Sequence, residues 1–184
     1  MELNNTIQAM QVLGNNVVKE GRGILKKKKK TTKANTLYND FDYLVTSDKD
    51  GVTLEFEFGM AEDYWQFVDE GVKGSGGFKG SGKMRGQGSP FRFRKKNIAK
   101  GVVAKWISNK PLKLRGADGK FMAKTKNNIK SVAFLIGRAI AQRGLERTQF
   151  FSKPLTQQLN KQTDAILKAF GDDLEKQLKI IIGN

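Results

Sequence analysis

Six carboxylates lie close together between residues 55 and 70 and are the first candidates for chemistry. Such a set can bind Mg²⁺, and the bound ion can activate water for nuclease chemistry. Glu55 and Glu57, however, alternate with apolar residues, a pattern typical of the solvent-exposed face of a strand. We therefore expect a solvated acidic face and no metal, and keep a magnesium nuclease using this pair as an alternative. The six carboxylates are Glu55, Glu57, Glu62, Asp63, Asp69 and Glu70.

A glycine-rich run at residues 77–83 (GFKGSGK) has the spacing of a phosphate-binding P-loop. Met84 stands where that loop needs a serine or threonine hydroxyl to bind magnesium. The next residues include Gly86, Gly88 and Pro90, which cannot begin the helix whose N-terminus would hold the phosphates. The run therefore does not predict nucleotide hydrolysis.

The sequence contains no cysteine and no histidine. This excludes disulfides, thiolate and imidazole metal sites, cysteine nucleophiles and every histidine-based triad. We therefore expect a protein that is not an enzyme and uses no cofactor. With 184 residues the chain is long enough to bury a core, and we expect one domain over residues 1–184.

The positive charge is concentrated in the middle of the sequence. The whole chain carries 34 basic and 18 acidic residues, a net charge of +16. Residues 71–130 hold 17 of the basic residues and a single acid, Asp118, so the rest of the chain is neutral. This segment is expected to contact nucleic acid or an acidic protein surface. The sequence has no membrane-spanning run and no signal-peptide pattern, and we expect a cytoplasmic protein.

Apolar residues at spacings of three and four predict an amphipathic helix over the first twenty residues. Gly21 and Gly23 are expected to end it. A lysine-rich arm is predicted at residues 21–36, either solvated or in contact with DNA or RNA. A membrane surface is disfavoured, because the neighbouring helix has few aromatic residues and no basic polar face. The consecutive lysines of the arm are Lys26, Lys27, Lys28, Lys29 and Lys30.

Alternating apolar residues predict a β-hairpin, with strands at residues 37–45 and 52–60 and a turn at residues 48–51. Residues 61–70 form either a short helix or a further extended segment. The next segment, residues 71–89, holds eight glycines and four cations but no acid, a composition that is not expected to pack a core. We expect this glycine-rich basic loop to be mobile until it is bound.

Residues 90–96 alternate aromatic residues with cations. Phe91 and Phe93 point into the core if this segment is a strand, or stack on bases if it binds nucleic acid. The cations are expected to contact DNA phosphates or an acidic neighbouring surface. The candidate cations of the loop and of this segment are Lys73, Lys79, Lys83, Arg85, Arg92, Arg94, Lys95 and Lys96.

Three helices are predicted in the second half of the chain. The first is marked by apolar residues from Ile98 to Ile107 and ends before Pro111. The second runs from an N-cap at Asn128 to a glycine stop at Gly144, and the third runs from Pro154 almost to the end. A short hairpin is predicted between residues 112 and 126. The expected fold is therefore α+β: a small antiparallel sheet with flanking amphipathic helices, long N- and C-terminal helices and the glycine-rich basic loop.

Three short patterns together resemble a known family. They are YWQFVDEG at residues 64–71, SPFRF at residues 89–93, and the run at residues 144–155 that ends in FFSKPL. They resemble the small head–tail connector proteins of tailed bacteriophages, known as neck, tail-completion or ring proteins. In that family an aromatic-Val-acid-x-Gly turn precedes a glycine-rich insertion, and a Phe-Phe-x-x-Pro entry begins the last helix. The likeness spans residues 60–160; the longer, more basic glycine segment and the lysine run depart from it.

The resemblance implies a structural virion protein without catalytic activity, present in the host cytoplasm during assembly. It implies a symmetric ring, often of twelve copies, whose partners are the portal, other connector or tail proteins, and packaged DNA in the channel. Glu55 and Glu57 would then face a neighbour's basic segment, giving head-to-tail complementarity. The alternative is a DNA- or RNA-binding protein outside a virion. The subunit-interface candidates are Glu55, Glu57, Tyr64, Trp65, Phe67, Phe91, Phe93, Phe150 and Phe151.

Overall fold

The computed structural model describes residues 3–28, 36–49, 51–80, 82–98, 100–109, 113–116 and 118–182. Within these ranges it combines six α-helices with short antiparallel strand pairs, which confirms the predicted α+β class. The helices are α1 (Asn4–Lys27), α2 (Thr36–Asp40), α3 (Trp65–Asp69), α4 (Lys100–Asn109), α5 (Lys126–Arg143) and α6 (Ser152–Ile182). The strands are β1 (Asp42–Ser47), β2 (Val52–Glu57), β3 (Val72–Lys73), β4 (Leu114–Arg115), β5 (Phe121–Met122) and β6 (Gly144–Leu145). Lys29 and Lys30 of the predicted lysine-rich arm lie outside the described residues.

The chain divides into two compact units. Unit 1 consists of Met1–Asp69 and Thr148–Asn184, and unit 2 is Glu70–Arg147. Each unit has its own apolar cluster, one formed mainly by α1, the β1–β2 hairpin and the entry to α6, the other by α4, α5 and the β4–β5 hairpin. The single domain over residues 1–184 stays a prediction.

Phe41 lies at the centre of the unit 1 core. Its side chain is fully buried, as is that of Phe150, and the two rings meet edge to face with centroids 5.4 Å apart. Phe58 stacks on Phe41 at 5.2 Å, and Phe151 meets it edge-on at 5.9 Å. Ring pairs of this kind add to the free energy gained by burial, so this cluster is the main apolar anchor of unit 1.

The predicted β-hairpin is present, with shorter strands. β1 and β2 pair antiparallel, and Glu55 and Glu57 are exposed on the outer face as predicted. Asp48 closes the turn, because its Oδ1 atom accepts a hydrogen bond from the N–H of Gly51 at 3.1 Å. The alternation of apolar and acidic residues along β2 therefore reflects a half-solvated strand.

The first predicted strand is wrong over residues 37–40, which belong to α2. Leu37 and Phe41 are four residues apart, so one helical turn places both on the same side, where both are buried. A spacing of four residues also fits the alternation of a strand, so the sequence pattern could not distinguish a helix from a strand here. The second strand is also shorter than predicted, because Gly59, with φ of +51°, starts a 3-10 turn over Gly59–Ala61.

α1 continues through Gly21 and Gly23, so the predicted arm at residues 21–36 is wrong for its first seven residues. Gly21 is required by close packing, since a Cβ there would lie 2.6 Å from the carbonyl oxygen of Phe150. A glycine that signals a helix end in the sequence instead marks a close approach between the helix and a distant segment.

The start of α6 is capped by Asp69, which is the last residue of α3. Its Oδ1 atom accepts hydrogen bonds from the backbone N–H groups of Phe151 at 2.8 Å and Ser152 at 3.4 Å. A buried carboxylate at a helix start satisfies free N–H groups and interacts favourably with the helix dipole. α3 confirms the short-helix alternative for residues 61–70, and α6 begins two residues before the predicted Pro154.

The start of α1 is capped in the same way by Asp173 of α6. The carboxylate accepts hydrogen bonds from the N–H of Asn5 at 3.2 Å, the N–H of Thr6 at 2.9 Å and the Thr6 hydroxyl at 2.8 Å. Leu3, at the N-cap position of α1, makes no side-chain capping bond. Asp173 therefore supplies the acceptor that the local sequence lacks, and it joins the first and last helices of unit 1.

Asp173→Asn is expected to lower the free energy of unfolding by about 1 kcal/mol at neutral pH. Burial raises the pKa of Asp173, but the hydrogen bonds from Thr6 and Asn5 together hold this pKa below its ordinary value of 3.8. The stabilisation is therefore complete above pH 3.8 and is lost as the pH falls through the folded-state pKa. Urea unfolding of Asp173→Asn and of the exposed control Asp172→Asn measures this; equal losses would contradict the capping role.

Unit 2 is built around α4 and α5, which confirm the predicted helices there. Val103 and Ala133 pack between them, and Leu114 of the β4–β5 hairpin joins the cluster, so this weakly marked hairpin is confirmed as well. The sequence predicted Asn128 as the N-cap of α5, but the N-cap is Thr125. The Thr125 hydroxyl accepts a hydrogen bond from the N–H of Asn128 at 3.2 Å.

Candidate polyanion-binding surface

Hydrogen bonds tie both ends of the glycine-rich loop, residues 71–89, to the chain around the C-terminal end of α5. Near the start of the loop, β3 pairs antiparallel with β6. Near its end, the N–H of Arg85 donates to the Arg143 carbonyl at 2.8 Å. Gly144 makes this possible: with φ of +92° it ends α5, as predicted, and turns the chain into β6.

Two glycines of this loop are required by close backbone packing. A Cβ on Gly74 would overlap the backbone carbonyl of Gln142, and a Cβ on Gly86 would overlap that of Val72. These contacts fix parts of the loop backbone, while none of the described loop residues belongs to either apolar cluster, as the composition predicts. The mobility of the loop in the unbound protein stays a prediction.

The segment after the loop pairs with β3 in parallel. The N–H of Lys73 donates to the Phe91 carbonyl at 2.8 Å, and the N–H of Phe93 donates to the Lys73 carbonyl at 2.9 Å. Phe91 and Phe93 are half-buried, whereas Arg92 and Arg94 are exposed. The strand alternative fits this pattern, and it directs the two arginines to solvent.

Seven of the eight candidate cations in this region are exposed, and Lys73 of β3 is half-buried. Over the described ranges, none of the seven forms an ion pair with a carboxylate. Cations in this state can neutralise phosphates and release their counterions. The seven exposed cations are Lys79, Lys83, Arg85, Arg92, Arg94, Lys95 and Lys96.

The charge of the protein divides sharply between the two units. Unit 2 has 20 basic and 3 acidic residues, a net charge of +17, whereas unit 1 has 14 basic and 15 acidic residues, a net charge of −1. The whole excess of positive charge therefore belongs to unit 2, whereas the sequence alone showed only that the cations cluster along the chain. A unit of this charge attracts polyanions and acidic protein surfaces.

Arg143 and Arg147 of unit 2 have structural partners at the loop and at the ends of the unit. Arg143 donates from Nε to the Lys83 carbonyl at 2.7 Å, and its guanidinium lies 5.6 Å from the centroid of the Phe78 ring. Arg147 pairs with Glu70 at 3.1 Å. These two arginines hold the loop and the ends of unit 2 together, and we do not place them in the binding surface.

A further candidate, missed by the sequence predictions, lies on the β4–β5 hairpin. Phe121 is 61% exposed, with the Arg115 guanidinium 4.3 Å and the Lys113 ammonium 5.4 Å from its ring centroid. Leu114, between the two cations, is buried and anchors the hairpin. An exposed ring beside cations can stack on an unpaired base while the cations meet phosphates. In the sequence, the alternation of cations with a leucine at Lys113-Leu114-Arg115 could have indicated that both cations lie on the exposed face of a strand.

The six clustered carboxylates do not converge on one site. Asp69 caps α6, and Glu70 pairs with Arg147. Glu62 accepts a hydrogen bond from the indole N–H of Trp65 at 3.4 Å. In the described part of the chain, no group of three or more acidic side chains could hold a metal ion.

The P-loop-like run at residues 77–83 is not followed by a helix, because residues 82–98 contain none.

The first lysines of the lysine run lie at the end of α1. Lys26 and Lys27 are exposed in its last turn, where cations interact favourably with the helix dipole, and Lys28 follows directly. Among the described helices, none is both long enough and apolar enough to cross a membrane.

The aromatic interface candidates divide into core and surface residues. Phe150 is fully buried in unit 1, so its prediction as a subunit contact is wrong. Trp65 and Phe151 are half-buried against the same core. Tyr64 and Phe67 are exposed, as a contact residue must be.

No protein-family model matches the chain, and no curated protein or solved structure matches it significantly.

Proposed function

We propose that this chain is a structural protein of the head–tail connector of a tailed bacteriophage. It assembles as a ring of identical subunits between portal and tail, contacts other connector or tail proteins, and catalyses no reaction. One observation carries this proposal: the three sequence patterns of the resemblance are bonded to one another within the two units and are not scattered matches.

The bonds between the patterns are specific. In unit 1, Asp69 of the first pattern accepts a hydrogen bond from the N–H of Phe151 of the third. In unit 2, the hydroxyl of Ser89, which begins the second pattern, donates to the carbonyl of Gly71, which ends the first, at 2.8 Å. A Cβ on Gly71 would lie 2.6 Å from the Leu145 carbonyl oxygen, so glycine is needed where the first and third patterns meet. The patterns therefore depend on one another.

The charge distribution supports the same proposal. The net charge of +17 on unit 2 suits a subunit that meets packaged DNA or the acidic surface of a neighbouring ring. Exposed apolar side chains on both units suit contacts between subunits, since such surface is normally buried in assemblies.

Electron microscopy of virus particles that contain a tagged copy of the chain tests this proposal. We expect class averages with a ring at one capsid vertex, and label at that vertex only. Particles of the untagged virus are the control. Label spread over the shell, or a chain that never copurifies with particles, would contradict a connector role.

A free nucleic-acid-binding protein is the second candidate, favoured by the charge of unit 2 and by the exposed ring of Phe121. Such a protein binds nucleic acid tightly as a monomer, with a steep dependence on salt, whereas a connector subunit binds weakly when isolated. Tight monomeric binding together with absence from particles would favour this candidate.

Removing four cations after the glycine-rich loop is expected to weaken duplex DNA binding and to lower the salt slope by about 3 to 4, because each phosphate contact contributes about 0.9. The control removes the same charge from α6 of unit 1 and should change the slope by less than about 1. Fluorescence anisotropy over a salt series measures both. Equal effects would contradict a binding surface on unit 2. The test variant replaces Arg92, Arg94, Lys95 and Lys96 with alanine. The control replaces Lys153, Lys161, Lys168 and Lys176 with alanine.

A further inference from the structure

A groove with apolar walls runs between α4 and α5 on the surface of unit 2. This open groove has a volume of 680 Å³, and its lining includes Ala104, Phe134 and Leu135. Leu135 is 61% exposed, and Trp106 on α4 is 47% exposed. Other residues of both helices form the unit 2 core, and Phe134 and Leu135 remain exposed beside it. Exposed apolar surface of this kind is typical of an interaction site.

Cations flank the groove. Lys130 lines it, and Arg138 lies two helical turns further along the same face of α5, with Phe134 midway between them at spacings of four. Lys105 is exposed on α4 next to Ala104. An occupant that fits this groove combines apolar side chains with carboxylates.

Unit 1 presents such a surface just before and within α3. Met60 (79% exposed), Tyr64 and Phe67 are all exposed, and the N–H of Phe67 donates to the Tyr64 carbonyl at 3.1 Å, which places these last two residues one turn apart. Glu62 and Asp63 are exposed between them, and residues 60–68 contain no cation. We call this surface the acidic knob.

The acidic knob is held rigidly from beneath. Ala61 is fully buried, and the Trp65 ring stacks on Phe58 with centroids 4.2 Å apart. The outward side chains of the knob are therefore presented by a packed base, which reduces the entropy lost when they are bound.

We propose that the acidic knob of one copy binds the α4–α5 groove of a second copy. The two surfaces are complementary in charge and in apolar character, and they lie on different units, so the contact is heterologous and can continue from copy to copy until a ring closes. This inference rests on the proposed connector function and names the surfaces that join its subunits. It uses Glu62 and Asp63 where the sequence predicted Glu55 and Glu57.

Disulfide crosslinking tests the contact cleanly, because the chain has no cysteine of its own. A Phe67→Cys copy and a Leu135→Cys copy of different mass are mixed and oxidised. We expect a disulfide-linked dimer of one copy of each. The control pairs Phe67→Cys with Leu167→Cys, an exposed position on α6. Dimer yield no higher than in this control overturns the proposal.

Charge reversal provides the second test. Lys130→Glu with Arg138→Glu in the groove copy should lower the dimer yield by at least about tenfold, because like charges then face each other. Adding Glu62→Lys and Asp63→Lys to the knob copy should restore the yield. Circular dichroism of each variant checks folding. Loss without restoration in folded variants counts against the pairing.

The experiments can contradict the connector function and the knob–groove contact independently of each other. A vertex ring in particles without the crosslink leaves the connector function standing and overturns this contact. The crosslink in a chain that is absent from particles leaves the contact standing and overturns the connector function.

Discussion

Phe41→Ala is expected to lower the free energy of unfolding by about 3–5 kcal/mol, the largest loss of any single substitution considered for this protein. Phe41 is fully buried, and it contacts the rings of Phe58, Phe150 and Phe151 at centroid distances of 5.2–5.9 Å. Truncation removes these contacts and leaves a cavity enclosed by rigid rings, which cannot collapse to fill it. Urea unfolding followed by circular dichroism measures the change.

Phe67→Ala is the matched control for this prediction. It removes the same side chain from a position that is 42% exposed, and we expect a loss below about 1 kcal/mol. Similar losses for the two variants would mean that the aromatic cluster is not the anchor of unit 1.

Gly21→Ala is expected to destabilise the protein by about 1–3 kcal/mol, although alanine is the better helix former. The added Cβ would lie 2.6 Å from the Phe150 carbonyl oxygen and 2.7 Å from the Phe41 ring. α1 would have to move away from both, and the surrounding core would lose contacts.

Gly23→Ala is the control in the same helix, where an added Cβ meets nothing within 4 Å. This substitution should be neutral or stabilise by up to about 1 kcal/mol. Thermal unfolding of both variants gives the comparison. If Gly21→Ala unfolds at or above the temperature of Gly23→Ala, α1 does not pack against the Phe150 segment as described.

Local patterns predicted the presence of α5, α6 and the β1–β2 hairpin, because each has a long run of one periodicity, but placed their ends a few residues away. They failed at α2, where Leu37 and Phe41 satisfy two periodicities at once. They also failed at Gly21, since local sequence contains no information about which distant backbone approaches a glycine.

The candidate surface was predictable where exposure follows alternation. Arg92 and Arg94 are exposed, whereas Phe91 and Phe93, which alternate with them, are half-buried. Phe150 was misassigned, because one aromatic residue in a short pattern serves a core or an interface equally well. The capping role of Asp173 could not be predicted, since its partners lie 167 and 168 residues away in the sequence.

The ends of unit 2 lie side by side, with Glu70 and Arg147 joined at 3.1 Å. The flanking ends of unit 1 are also adjacent, because the N–H of Thr148 donates to the Asp69 carbonyl at 3.1 Å. A segment whose two ends are adjacent can be removed, or replaced by a segment of another length, without changing the path of the flanking chain. The length of unit 2 can therefore change while Asp69 and Thr148 keep their separation in unit 1.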